Sequence, residues 1–252
     1  MSMASPIAPT AQTPEPERVS SIGRIVGVFF SPKATFESIA RRPSWLAPIV
    51  LLCLASLGVV ASFSYRGGWP SFFQRQVESS SRFQQMPPDQ QQRVLAAQLK
   101  YGPRVAYAQV VIVPFLAVLI VAAVFLGVFN MLGGTQLKYA TSLGIVSHSL
   151  LPGLISGLLG ILVIFLKDPS MVDLQNLVAS NAAAFLPGDS PRWQIALLGS
   201  FDLFSFWTMI LLAMGYRAAA PKKIPLGKGL VSIIGVWLIY VVVKVGLTAA
   251  FS

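Results

Sequence analysis

Asp202 and Lys244 are charged side chains set inside long apolar runs of this 252-residue chain. Asp202 lies in "SFDLFSFWTMILLAMG", Ser200 to Gly215, and Lys244 lies in "IYVVVKVGLTAAF" near the end. A carboxylate and an ammonium at such positions could carry a proton, gate an ion path or pin two helices together. A lone charge in lipid is expensive, so such residues face a bundle interior and take a partner. If the two runs are antiparallel helices, each charge lies roughly 10 Å from the same edge. The expected arrangement is therefore an Asp202–Lys244 ion pair, with snorkelling of the long lysine stem as the alternative. A registry role outweighs a gating role, because no ladder of further intramembrane acids continues a proton route.

His148 stands four residues before Pro152, in another apolar run. A proline kink frees carbonyls that a nearby histidine or Ser149 can bond. An imidazole could sense pH, but an interhelical hydrogen bond is the expected use. Asn130 precedes Gly133 and Gly134 in "FNMLGGTQLK", which suits a tight turn needing positive φ. That segment lacks the spaced glycine, lysine and hydroxyl of a phosphate loop. Ser149, Gly153 and Gly157 recur every four residues, a small-residue stripe for close helix approach, expected within the bundle, with a second copy as the alternative. One histidine and one cysteine, Cys53, build no multi-ligand metal centre of those types. No nucleophile, base and acid share a depth, and no cofactor fingerprint is present. The reading is non-enzymatic, with no cofactor.

The elements that must position these residues follow from hydropathy. Hydrophobic residues make up 54% of the chain and charged ones 11%, with mean hydropathy +0.68. A soluble domain carries roughly 25% charged residues. The apolar residues come in blocks of about 20, the length of a helical span. Five runs qualify, at about 45–65, 104–131, 139–166, 193–216 and 229–251. All should be α-helices, since lipid offers no partners to open backbone. Pro114 and Pro152 each remove a backbone donor inside a span. The fold class is thus all-α, a polytopic membrane bundle with five transmembrane helices and short amphipathic interfacial helices.

Residues 1–20 form a Pro- and Ser-rich tail with no signal-peptide core, expected to be disordered. The membrane domain is 21–252. Before the first span, Ile22, Ile25, Val26, Phe29 and Phe30 recur at helical spacing, and Ser31-Pro32 starts a second helix. These helices lie in the headgroup layer or pack on the bundle end. Loop 66–103 reads as surface helices, restarting after "MPP".

The net charge of +10 lies beside the spans, which points to anionic headgroups rather than nucleic acid. With the N-terminus inside, ten basic residues are cytoplasmic and eight lie opposite, a weak positive-inside bias. Arg24, Lys33, Arg41, Arg42, Lys222, Lys223 and Lys228 form the membrane-surface basic set. Five spans then place the C-terminus outside.

Three stretches carry a likeness: "VFFSPKATFESIARRPSWLAPIVLL", "FNMLGGTQLKYATSLGIVSHSLLPGLISGLLGIL" and "FDLFSFWTMILLAMGYRAAAPKKIPLGKGLVSIIGVWLI". In order and spacing the chain resembles the Yip1 domain family of five-span membrane proteins. The resemblance implies five helices, a cytoplasmic N-terminus and, for a compact member, a bacterial cytoplasmic (inner) membrane. Eukaryotic relatives are associated with Rab-type GTPases and membrane traffic, but they have a longer cytosolic N-terminal region, so that role is not carried over. The expected function is a membrane organiser or adaptor that binds lipid, an unidentified membrane protein or a second copy. The alternative is a small transporter or channel with Asp202, Lys244 and His148 lining a polar path.

Overall fold

Each apolar block becomes helix, because only helix satisfies its backbone without water. A computed structural model describes residues 19–78, 80–174, 176–187 and 190–250, excepting the side chains of 81 and 82. Most of the N-terminal tail (1–18) lies outside the described residues. The two short entry helices are α1 (Ser21–Phe30) and α2 (Pro32–Arg41). They lead into α3 (Leu46–Tyr65), followed by α4 (Trp69–Glu78) and α5 (Ser81–Gln84). Next come α6 (Pro88–Gly127), α7 (Tyr139–Ser149) and α8 (Pro152–Leu166). The chain closes with α9 (Arg192–Leu198), α10 (Leu203–Ala219) and α11 (Leu226–Ala250). The described residues hold no β-sheet beyond an isolated bridge between Asn181 and Asp202.

Among the described residues four segments are long and apolar enough to cross a membrane: Leu46–Tyr65, Pro88–Leu132, Tyr139–Leu166 and Leu226–Ala250. The fourth expected span differs. The run 193–216 breaks at Gly199–Asp202, leaving the seven-residue α9 and the 17-residue α10. Gly199 and Ser200 end α9, and Asp202 takes an extended conformation that starts α10. Alone, α10 falls short of the roughly 20 residues a span needs.

Loop 66–103 also differs from expectation. The helix that restarts at Pro88 runs through Pro103 into the apolar block, so α6 is 40 residues long, about 60 Å. Its first four turns stand outside the apolar stretch, with α4 packed on them. Pro103 and Pro114 each cost one backbone bond, yet the helix continues through both. Pro152 does interrupt: Leu150 and Leu151 form a turn between α7 and α8.

The centre is α7. Its residues Thr141 to Ser149 are all buried, enclosed by α1, α2, α3, α6 and α10. The two ends of the bundle are distinct. One, the entry end, carries α1, α2 and the turns 128–138 and 220–225. The other carries α4, α5 and the described residues between 167 and 187.

Candidate functional site

The entry end gathers most of the buried polar side chains, and α1 and α2 organise it. Ser20 caps α1 by accepting from the Gly23 amide at 3.0 Å. Ser31 closes α1 with its own amide on the Gly27 carbonyl, and Pro32 opens α2. The proline ring suits a first turn, so the chain reverses within one residue. The Thr35 hydroxyl folds back on the Ser31 carbonyl at 3.0 Å, against Gly27, where a side chain would collide with it.

This hairpin is docked rather than floating in the headgroup layer. Phe36 and Ile39 of α2 are fully buried. Their seat is made by two glycines. A Cβ on Gly144 of α7 would lie 2.9 Å from Ile39, and one on Gly215 of α10 would lie 3.0 Å from Phe36. Phe29 of α1 meets Trp207 of α10 edge-on at 5.7 Å.

Arg24, expected on the surface, is buried, and that is a correction with a clear cause. Its guanidinium donates to the Arg42 carbonyl and the Ser44 hydroxyl, each at 2.8 Å, and to the Ser38 carbonyl at 3.4 Å. The Ser38 and Arg42 carbonyls belong to the end of α2, the helix end that favours a cation. Burial first, and the Arg42 charge second, lower the Arg24 pKa from its usual value. Lys33, Arg41, Arg42, Lys222, Lys223 and Lys228 are exposed. Lys223 also donates to the Gly134 carbonyl, tying two turns together.

Behind the hairpin lies a second cluster. Ser142 donates to the Ala122 carbonyl at 2.7 Å, which uses its one proton. Tyr216 therefore donates its phenol to the Ser142 oxygen. The Tyr216 ring stacks on Phe129 at 4.3 Å. Asn130 sits in a π-helical turn, Val128–Leu132, and closes the following loop. Its amide donates to the Leu137 carbonyl at 3.1 Å, and its oxygen accepts from the Leu137 amide and Thr135. Gly134 takes φ +62°, where a side chain is disfavoured.

His148 is buried, and its Nδ1 bonds the Gly144 carbonyl at 2.8 Å, within its own helix rather than across helices. Ser147 shares that carbonyl at 3.1 Å. The Ser149 hydroxyl is buried without a partner. The small-residue stripe is split, since the turn at Leu150–Leu151 separates Ser149 from Gly153 and Gly157. Those two glycines face α3, where a Cβ would meet Leu52 at 3.7 Å and Ala55 at 3.6 Å.

The expected Asp202–Lys244 pair does not form. Asp202 caps α10, accepting from the amides of Phe204 at 2.9 Å and Ser205 at 3.1 Å, and from the Ser180 hydroxyl. Lys244 donates to the Ser200 hydroxyl at 3.1 Å. The cause is the break before α10: it turns Asp202 toward orphan amides, which a carboxylate satisfies well. Asp202→Asn should therefore change stability by roughly a few tenths of a kcal/mol, whereas Asp202→Ala should cost about 1 kcal/mol. Thermal unfolding in detergent separates the two variants. Equal losses would mean that charge, not capping, is what Asp202 supplies.

Ser142, Tyr216, Gly144 and Gly215 were not singled out by sequence, and Arg24 was assigned to the wrong environment. A signal existed in "SLGIVSH" and "AMGYR", where a glycine interrupts a large-residue run, but hydropathy does not say which aromatic fills the gap. Among the described residues no group of three His, Cys, Asp or Glu side chains could hold a metal. Arg24, Ser142, Tyr216 and Asn130 spend their donors on carbonyls and hydroxyls of the chain itself.

No curated protein and no solved structure matches this chain. The Yip1 domain model matches residues 26–247, which takes in the second half of α1, α2 to α10 and nearly all of α11. On that match over most of its length, the chain belongs to the Yip1 domain family.

Proposed function

We propose that this protein is a non-enzymatic membrane organiser whose α1–α2 hairpin recruits anionic lipid and another membrane protein. In this reading the chain crosses a bacterial cytoplasmic membrane five times, with α9 and α10 together making the fourth pass. The entry end and N-terminus are cytoplasmic, and the C-terminus is outside.

One observation carries the reading. The outer face of α1 presents Ile22, Val26 and Phe30, exposed by 74, 49 and 83%, at helical spacing. The inner face is fixed by Arg24 and Phe29. A rigidly held apolar stripe beside exposed cations is the pattern of a surface helix that enters the headgroup layer. Glu37 is the one acid among the described residues of that end, so its field favours anionic headgroups. A groove of about 690 Å³ runs between α1 and the start of α3, past Ile25, Trp45, Val50 and Leu54, and suits a partner helix. The competing transport reading draws less support. Asp202 and His148 spend polar atoms on bonds within their own helices, Lys244 bonds the Ser200 hydroxyl, and neither this groove nor the 710 Å³ pocket on α6 includes them.

A photo-crosslinking amino acid at Phe30, with Val242 on exposed α11 as control, tests this in native membranes. The expected result is a discrete protein adduct and enriched anionic lipid from position 30 only. Identical adducts from both positions would overturn the recruitment reading.

A further inference from the structure

Lys244 lies on α11, about 9 Å before its Ala250 end, inside a segment of membrane-crossing length. Its ammonium meets the Ser200 hydroxyl at 3.1 Å, and among the described residues that is its only hydrogen-bond partner. Ser200 is itself buried, and its one proton goes to the Ala196 carbonyl at 2.7 Å. An ammonium carries three N–H donors, so two are left over and the charge faces a neutral oxygen. Asp202, two residues past Ser200, does not answer it. Its Oδ1 accepts from the Phe204 and Ser205 amides, and its Oδ2 accepts from Ser180.

The ammonium has not risen to the surface to find water. From Ala219 to Leu203, α10 climbs about 24 Å, and α11, packed beside it after the turn 220–225, covers the same rise by residue 242. Ser200 therefore lies about level with Lys244, and the side chain reaches sideways to it. Lys244 is half-buried there. A cation at membrane depth is expensive unless a second ionisable group pairs with it. Its surroundings are those of a helix seam. Tyr240 and Leu247 stand one turn before and one turn after it on the same side of α11, exposed by 60 and 55%.

We propose that the Tyr240–Lys244–Leu247 seam docks a transmembrane helix of another protein through an aspartate or glutamate that pairs with Lys244. A carboxylate on a helix can be set at this depth, whereas a lipid phosphate stays in the headgroup layer above it. A second copy of this chain would bring a second Lys244 to the seam and, in Asp202, a carboxylate already committed to its own helix start. The seam stands whether or not the α1–α2 hairpin recruits anything, and Val242 lies on the other side of α11.

The test uses the full chain in phosphatidylcholine vesicles with a synthetic leucine–alanine helix that carries one glutamate about 9 Å from its end. Energy transfer between a dye on that helix and one on the chain reads association. The glutamate helix should associate several-fold more tightly than the same helix with glutamine, a comparison that needs no variant of the chain. Lys244→Gln should abolish the difference, since glutamine keeps a donor for Ser200 without the charge. A photo-crosslinking amino acid at Leu247 should capture the glutamate helix, and one at Val242 should not. Equal association of both helices with the wild type would overturn the proposal, as would an undiminished difference in Lys244→Gln. Loss of the association when phosphatidylglycerol replaces half of the phosphatidylcholine would also overturn it, by assigning Lys244 to lipid.

Discussion

Arg24→Ala should release α1 from the bundle at a cost of about 3 kcal/mol. A charged donor contributes roughly 1.5–3 kcal/mol per good hydrogen bond. Arg24 makes two at 2.8 Å, and a third at 3.4 Å that adds little. Against them stands the cost of burying the guanidinium, whose Nε has no partner. The balance remains favourable because two of the acceptors are carbonyls at the end of α2. Arg24→Lys should recover less than half of the loss, since the lysine stem is shorter and its single nitrogen cannot serve Arg42 and Ser44 on one side and Ser38 on the other, as Nη1 and Nη2 do. Hydrogen exchange in vesicles reads the result. Amides of 21–30 should exchange faster in Arg24→Ala, while those of α7 and α10 stay protected. Unchanged exchange would mean that Phe29 on Trp207 holds α1 alone.

Tyr216→Ala should destabilise the bundle core by about 2–3 kcal/mol. In water, deleting a buried aromatic ring costs roughly 3–5 kcal/mol, part transfer and part cavity. Lipid is as apolar as the core, so the transfer part largely drops out and the cavity part stays. The ring is fully buried against Phe129 and Phe125, with little room to collapse. Tyr216→Phe keeps that packing and loses one hydrogen bond, a cost of about 1 kcal/mol. Ser142 keeps its bond to Ala122 in either variant. Unfolding of both variants in detergent measures the gap. A Tyr216→Phe loss as large as that of Tyr216→Ala would place the energy in the hydroxyl and contradict this account.

The helices were legible because membrane-length apolar blocks have one backbone solution. The start of α2 was legible at Ser31-Pro32, and the turn at Gly134 in its glycine pair, since both depend on neighbours in sequence. The break before Asp202 was not. Phe201 and Leu203 are as apolar as a continuous span would require, and the residues that replace the helix there come from 180–182. The Phe201 carbonyl accepts from the Ala182 amide, and the Leu203 amide donates to the Ser180 carbonyl. Hydropathy carries no record of such a pairing. Arg24 misled for a related reason. Its charge suggested solvent, but its acceptors lie 14 to 20 residues ahead and exist only once the hairpin has closed. Asp202 took the orphan amides of its own helix start, and Lys244 took the Ser200 hydroxyl in the break before that helix.

The most direct test of the organiser reading is crosslinking from position 30 in wild-type and Arg24→Ala backgrounds side by side. If the docked hairpin is the recruiting surface, wild type yields a discrete protein adduct with enriched anionic lipid. The Arg24→Ala chain, still folded in its bundle, loses the adduct severalfold. A discrete adduct of equal yield in both backgrounds, or none in either, would contradict the claim that the Arg24 clamp makes α1 a binding face.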